Sequence, residues 1–82
     1  MPAHSVGLWG GARSLVGAEA VTLEGGTVGA LLDDLASRYP DVPALTEDGV
    51  AVSIDGVIYQ GSRGQPVPEG AEVMLLPRIK GG

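Results

Sequence analysis

A single helical stripe constrains this chain more than any other feature. Val28, Leu31, Leu32, Leu35 and Tyr39 fall at i, i+3, i+4, i+7 and i+11, which is one face of an α-helix. Asp33, Asp34, Ser37 and Arg38 fall mostly on the other face. Thr27 precedes the stripe and reads as the N-cap, where its hydroxyl can accept from a first-turn amide. Pro40 has no N–H to continue the helix and ends it. One amphipathic helix cannot bury its own stripe. The rest of an 82-residue chain must supply the opposing apolar surface.

The flanking segments read as strands. Residues 5–9 are short and apolar and predict a first strand, which Gly10-Gly11 breaks. Residues 12–16 have room for one helical turn before Gly17. Residues 19–24 set Val21 and Leu23 against Ala20, Thr22 and Glu24, the alternation of a half-buried strand pairing back on the first. Beyond the helix, residues 41–49 read as a loop carrying Pro43. Residues 50–54 predict a third strand with Val50, Val52 and Ile54 on one side. Asp55-Gly56 between two apolar runs is a hairpin turn, and residues 57–59 continue as a short strand. Residues 61–70 form a long turn region rich in Gly and Pro, and residues 71–76 are the last strand before Pro77.

That order gives a two-layer α+β domain. The expected architecture is the β-grasp, or ubiquitin-like, fold: a mixed sheet of four to five strands, one main helix packed across it, and the first and last strands adjacent in the middle. Residues 1–77 are expected to form one domain and residues 78–82 a flexible tail. Leu31, Leu32 and Leu35 are expected in the core against Val21, Leu23, Val52 and Ile54.

Composition removes several function classes. Net charge is -5, against the basic surface that nucleic acid binding needs. No apolar run approaches the ~20 residues of a membrane span. The first residues resemble neither a basic n-region nor an h-region, so a cytoplasmic protein is expected. There is no cysteine, so the chain's own side chains supply neither a disulfide nor a thiolate metal site. His4 is the only histidine and has no cysteine partner, so no metal is expected. Asp33 and Asp34 are helix neighbours that point in different directions, a solvated face rather than an acid–base pair. No serine sits in a nucleophile-elbow context, and the glycines of residues 7–11 match no phosphate-binding loop. No bound cofactor and no enzyme active site are expected.

The chemistry is confined to the end of the sequence, Arg78-Ile79-Lys80-Gly81-Gly82. Two residues without Cβ atoms leave the Gly82 carboxylate on a thin thread that can enter a narrow channel. The bland alternative is a frayed glycine terminus. Arg78 and Lys80 make the tail locally basic on an acidic body, able to steer it toward an acidic groove.

In order along the chain, four segments resemble the ubiquitin-like sulfur carriers, which include the small subunit of molybdopterin synthase and the ThiS-type carriers. They are Gly11-Ala-Arg-Ser-Leu-Val-Gly17, the helix segment from Gly26 to Pro40, Val52-Ser-Ile-Asp-Gly56, and Pro68-Glu-Gly-Ala-Glu-Val-Met-Leu-Leu-Pro77 followed by Gly81-Gly82. The basic Arg78-Ile79-Lys80 departs from many molybdopterin-type tails, which are apolar there, and is nearer in character to ubiquitin's. The resemblance implies that a ubiquitin-activating-type adenylating enzyme uses ATP and Mg²⁺ to activate the Gly82 carboxylate. A sulfurtransferase or persulfide donor then converts it to a thiocarboxylate, and a sulfur-accepting synthase takes the sulfur. The alternatives are a modifier joined to lysine amines and a plain interaction module with an inert tail. The acceptor pathway stays open among molybdopterin, thiazole, tRNA and other metabolites.

One surface expectation accompanies this. A strand alternates its faces, so either Val73 and Leu75 or Met74 and Leu76 face the helix. The β-branched Val73 suits the core, which leaves Met74 and Leu76 outward as the partner-binding pair.

Overall fold

The computed structural model describes residues 3–45 and 49–78. Its elements are β1 (Ala3–Gly7), α1 (Gly10–Val16), β2 (Ala20–Glu24), α2 (Val28–Arg38), a 3₁₀ turn (Pro43–Leu45), β3 (Val50–Ile54), β4 (Val57–Tyr59) and β5 (Val73–Pro77). The five strands form one sheet in the order β2-β1-β5-β3-β4. Only β1 and β5 run parallel, side by side in the middle, and the other neighbours are antiparallel. This is the β-grasp arrangement.

Helix α2 closes one face of the sheet. Leu31 and Leu35 are fully buried in a cluster with Val21, Leu23, Val52 and Ile54. Leu32 is only half-buried and packs at the cluster's margin, because it lies at the edge of the stripe. Thr27 caps the helix, its Oγ1 accepting from Ala30 N at 3.2 Å.

The first two helix amides are satisfied by the segment read as a long turn region. Val28 N donates to Gln65 O at 2.9 Å and Gly29 N to Arg63 O at 2.8 Å. A helix start normally leaves four such donors open. Here residues 63–65 supply two of the acceptors. The close approach explains a glycine inside the helix, since a Cβ at Gly29 would lie 3.0 Å from both Cβ and O of Arg63. Val67 follows into the core, and its amide donates to Gly26 O at 2.9 Å. Segment 61–70 is therefore part of the packed body.

At the other end of α2, Asp34 ties the helix to the sheet's outer strand. Its Oδ2 accepts from Glu24 N at 2.8 Å, and Arg38 Nε lies 2.9 Å from its carboxylate. The Glu24 amide, then Arg38, hold the Asp34 carboxyl below its ordinary value. The same amide would otherwise sit open on an edge strand, an invitation to foreign strands.

Several boundaries differ from the sequence reading. The first strand is Ala3–Gly7 rather than 5–9, and Leu8 and Trp9 lead into α1. Gly10 and Gly11 do not end the strand, which stops at Gly7, but begin α1, which is anchored by Arg13 Nε donating to Leu8 O at 2.8 Å and by fully buried Ala12. The last strand is Val73–Pro77, so it contains the proline expected to follow it. Ladder bonds to β3 fall at Glu72 and Arg78, placing Pro77 out of phase, with its missing N–H toward β1. The paired register of β1 with β5 ends at Gly7 and Met74, so no ladder bond is lost there.

Candidate functional site

Strand β5 carries the candidate site because it leads into the basic tail. Its alternation is complete: Val73 and Leu75 are 2% and 1% exposed, whereas Met74 and Leu76 are half-buried on the opposite face. That open face is the one α2 does not cover.

The strand registers show what surrounds Met74. Gly7 pairs with Ala20 and with Met74, and Ser53 pairs with Met74 and with Ile58. Paired residues share a face. One row therefore crosses all five strands, Ala20–Gly7–Met74–Ser53–Ile58. Met74 and Ile58 are its long apolar members, and Gly7 and Ser53 flank Met74 with small ones. The Met74 side chain leans over Gly7, where an added Cβ would lie 3.4 Å from its Cγ. Next to this row, Leu76 pairs with Ala51, which is fully buried, so the long side chains stand above a floor of small ones. Ile58 is 44% exposed and extends the patch to the edge strand.

Ile58 and Gly7 belong to this surface and were not singled out from sequence. Ile58 was legible. The Asp55-Gly56 turn has both residues at positive φ, 50° and 89°, as a two-residue type I′ turn demands. Such a turn fixes Ile54 opposite Val57 and hence Ser53 opposite Ile58. Gly7 was not legible, because its place beside Met74 depends on the long-range parallel pairing.

Charge is distributed along β5 rather than around it. Glu72 and Asp55 stand exposed at its start, where Asp55 Oδ1 accepts from Glu72 N at 2.9 Å. Arg78 stands exposed at its end, its amide donating to Gly49 O at 3.2 Å. Ile79, Lys80, Gly81 and Gly82 lie outside the described residues.

Several of the other charged groups have structural partners. Asp33 pairs with Arg63 at 2.7 Å, while Asp34 serves Glu24 and Arg38, so the two carboxylates are not a joint acid–base site. His4 is buried on the inner face of β1, and its Nε2 has no partner among the described residues. No group of three metal-ligating side chains occurs among the described residues.

A ThiS family model matches residues 6–82, nearly the whole chain and through the glycine tail. The chain belongs to the ThiS family. As a ThiS-family protein it is a ubiquitin-like sulfur carrier or modifier. Solved structures agree on the fold. Small archaeal modifier protein 1 of H. volcanii superposes with a TM-score of 0.76 at 21% identity, covering 96% of this chain and 100% of that one. A chain of the Amycolatopsis orientalis BexX/CysO complex gives 0.70 at 24% identity, covering 95% and 98%. Mycobacterium tuberculosis CysO gives 0.71 at 21% identity, covering 92% and 98%. No curated protein matches the chain. No helix among the described residues is long and apolar enough to cross a membrane.

Proposed function

We propose that this ThiS-family protein carries sulfur on its Gly82 carboxylate and acts as a cosubstrate of partner enzymes. The observation that supports it is the family match running through Gly82, directly beyond the central strand β5. A carboxylate is unreactive toward nucleophiles because it has no good leaving group. A ubiquitin-activating-type enzyme with ATP and Mg²⁺ joins a Gly82 oxygen to the α-phosphate and releases pyrophosphate. The terminal sulfur of a protein persulfide then attacks the acyl carbon, and AMP leaves. A thiol cleaves the resulting S–S bond reductively, and the thiocarboxylate remains. Its sulfur is the nucleophile delivered to a synthase that accepts it. The chain supplies reach and recognition: Met74, Leu76 and Ile58 dock the body, and Arg78 with Lys80 guides the thread.

The CysO–BexX complex is a precedent for a protein of this fold held by a partner. The test is reconstitution with an adenylating enzyme, Mg-ATP and a persulfide donor, read by intact mass. The expected product has one terminal oxygen exchanged for sulfur, and deleting Gly81-Gly82 abolishes it without shifting the melting curve. Sulfur transfer retained after the deletion overturns the proposal. Conjugates on other proteins in place of the thiocarboxylate would make the chain a modifier.

A further inference from the structure

We propose that the outer edge of β4 pairs with the same edge of a second copy, joining the two sheets about a two-fold axis at Ile58. The pairing does not depend on the carrier reading. A two-residue turn joins β3 to β4, with Ile54 opposite Val57, Ser53 opposite Ile58 and Val52 opposite Tyr59. Such a turn closes on a hydrogen-bonded pair, and bonded pairs alternate with unbonded ones along an antiparallel ladder. Val57 and Tyr59 therefore turn their backbone groups toward β3. Ile58 turns its N–H and C=O the other way, out of the sheet. The bonds between β3 and β5 have the matching phase: Asp55 N donates to Glu72 O, so Ser53 serves β5 and leaves Ile58 unbonded on its β3 side. β4 ends the sheet on this side. An edge left open in this way is a template for another strand.

The edge is self-complementary, which is what selects a second copy as its occupant. Within β4 only Ile58 has both backbone groups outward, so two-fold pairing centres there, and two N–H···O=C bonds form between the two Ile58 residues. Val57 then stands opposite Tyr59 of the second copy, and Asp55 opposite its Gly61. Ile58 is 44% exposed and meets its own counterpart on the open face. Val57 is 53% exposed and meets Tyr59, which packs at the margin of the core. The charges match as well. Asp55 stands exposed at one end of the edge, beside Glu72. At the other end, Arg78 Nη2 lies 3.9 Å from where a Cβ on Gly61 would sit. Neither Asp55 nor Arg78 has an ion-pair partner among the described residues. Antiparallel copies bring this carboxylate to this guanidinium twice, once at each end, whereas parallel copies would set Asp55 against Asp55. β4 has three residues, so the contact is small and the association weak and transient. Ile58 and Arg78 also serve docking in the carrier reading, so self-pairing and enzyme binding compete for them.

The experiment is sedimentation equilibrium of the full chain from about 10 μM to about 1 mM, with a melting curve for each variant. The mean mass of the wild type should rise with concentration toward that of two chains. Val57→Lys puts a charge on the edge but not on the open face, and should weaken association at least about tenfold in a chain that still folds. Arg78→Glu should weaken it as much, by repulsion from Asp55 of the second copy. Adding Asp55→Asn to Arg78→Glu should recover most of that loss, because asparagine tolerates the positive φ of 50° and keeps an oxygen for Glu72 N. A wild type that stays monomeric throughout overturns the inference. So does a dimer that Val57→Lys leaves intact, which would put the contact on the open face, or a loss in Arg78→Glu that Asp55→Asn does not relieve. If Val57→Lys fails to fold, the Arg78→Glu pair of variants decides alone.

Discussion

The two faces of β5 have similar composition and different fates. Inward, Val73 and Leu75 are sealed under α2. Outward, Met74 and Leu76 are equally apolar but only half-covered, over small neighbours at Gly7, Ala51 and Ser53. The difference is what lies across from each pair. The inner pair meets leucines delivered by a helix, and the outer pair meets side chains too short to cover it. Hydrophobicity alone did not distinguish the faces; the choice of neighbour did. An apolar row left open on a small sheet is the kind of surface that partners use.

The comparison is broken most severely by charge. Val73→Asp buries a carboxylate with no partner and should leave the domain unfolded, since such a domain holds only about 5–15 kcal/mol. Met74→Asp should fold, with an ordinary melting curve, yet weaken binding to the activating enzyme. A folded Val73→Asp beside an unfolded Met74→Asp would reverse the two faces. Truncation sharpens the contrast. Leu75→Ala should cost about 2–5 kcal/mol in denaturant unfolding, as should Leu35→Ala on the opposing helix. Leu76→Ala should cost about 1 kcal/mol, in proportion to the surface it keeps in water. Equal losses would show that α2 is not what sets the inner face apart.

Smaller effects test how α2 is held over that face. Thr27→Ala removes the cap on Ala30 N and should cost about 1 kcal/mol, read as a lowered midpoint with an unchanged slope. The Asp34 contact should give the smallest effect, visible in its pH dependence. Its carboxyl is held below the ordinary aspartate value by the Glu24 amide and then by Arg38, so the folded state favours the charged form. That stability is present above the unfolded value and is lost as pH falls through the lower folded one. Asp34→Asn should therefore be less stable than wild type at neutral pH, with the gap closing below about pH 4 and narrowing in salt. A gap unchanged by acid would mean that charge at Asp34 contributes nothing.

Much of this was legible locally. The α2 stripe, its Thr27 cap, the alternation of β2 and the Asp55-Gly56 hairpin all depend on contacts a few residues apart, and each stands where the pattern placed it. The outward facing of Met74 and Leu76 followed from a period of two and one β-branched residue. Gly10-Gly11 misled because glycine disfavours helix interiors, but α1 is held by Arg13 on Leu8 O and by buried Ala12. Pro77 misled because proline is expected outside a ladder, and here its missing donor points where none is needed.

The sequence by itself determined the main helix, the strands and their order, the inner and outer sides of β2, β3 and β5, and a tail whose only amine side chain is Lys80. Those properties are periodic, local or compositional, and no distant contact can alter them. Tertiary structure alone decided that segment 61–70 would cap α2, that Val42 and Val67 would be buried from loops, and that Gly7, Met74, Ser53 and Ile58 would stand in one row. These depend on register between strands far apart in the chain and on backbone donors seeking acceptors. Such pairings are settled only when the whole sheet and its helix close together.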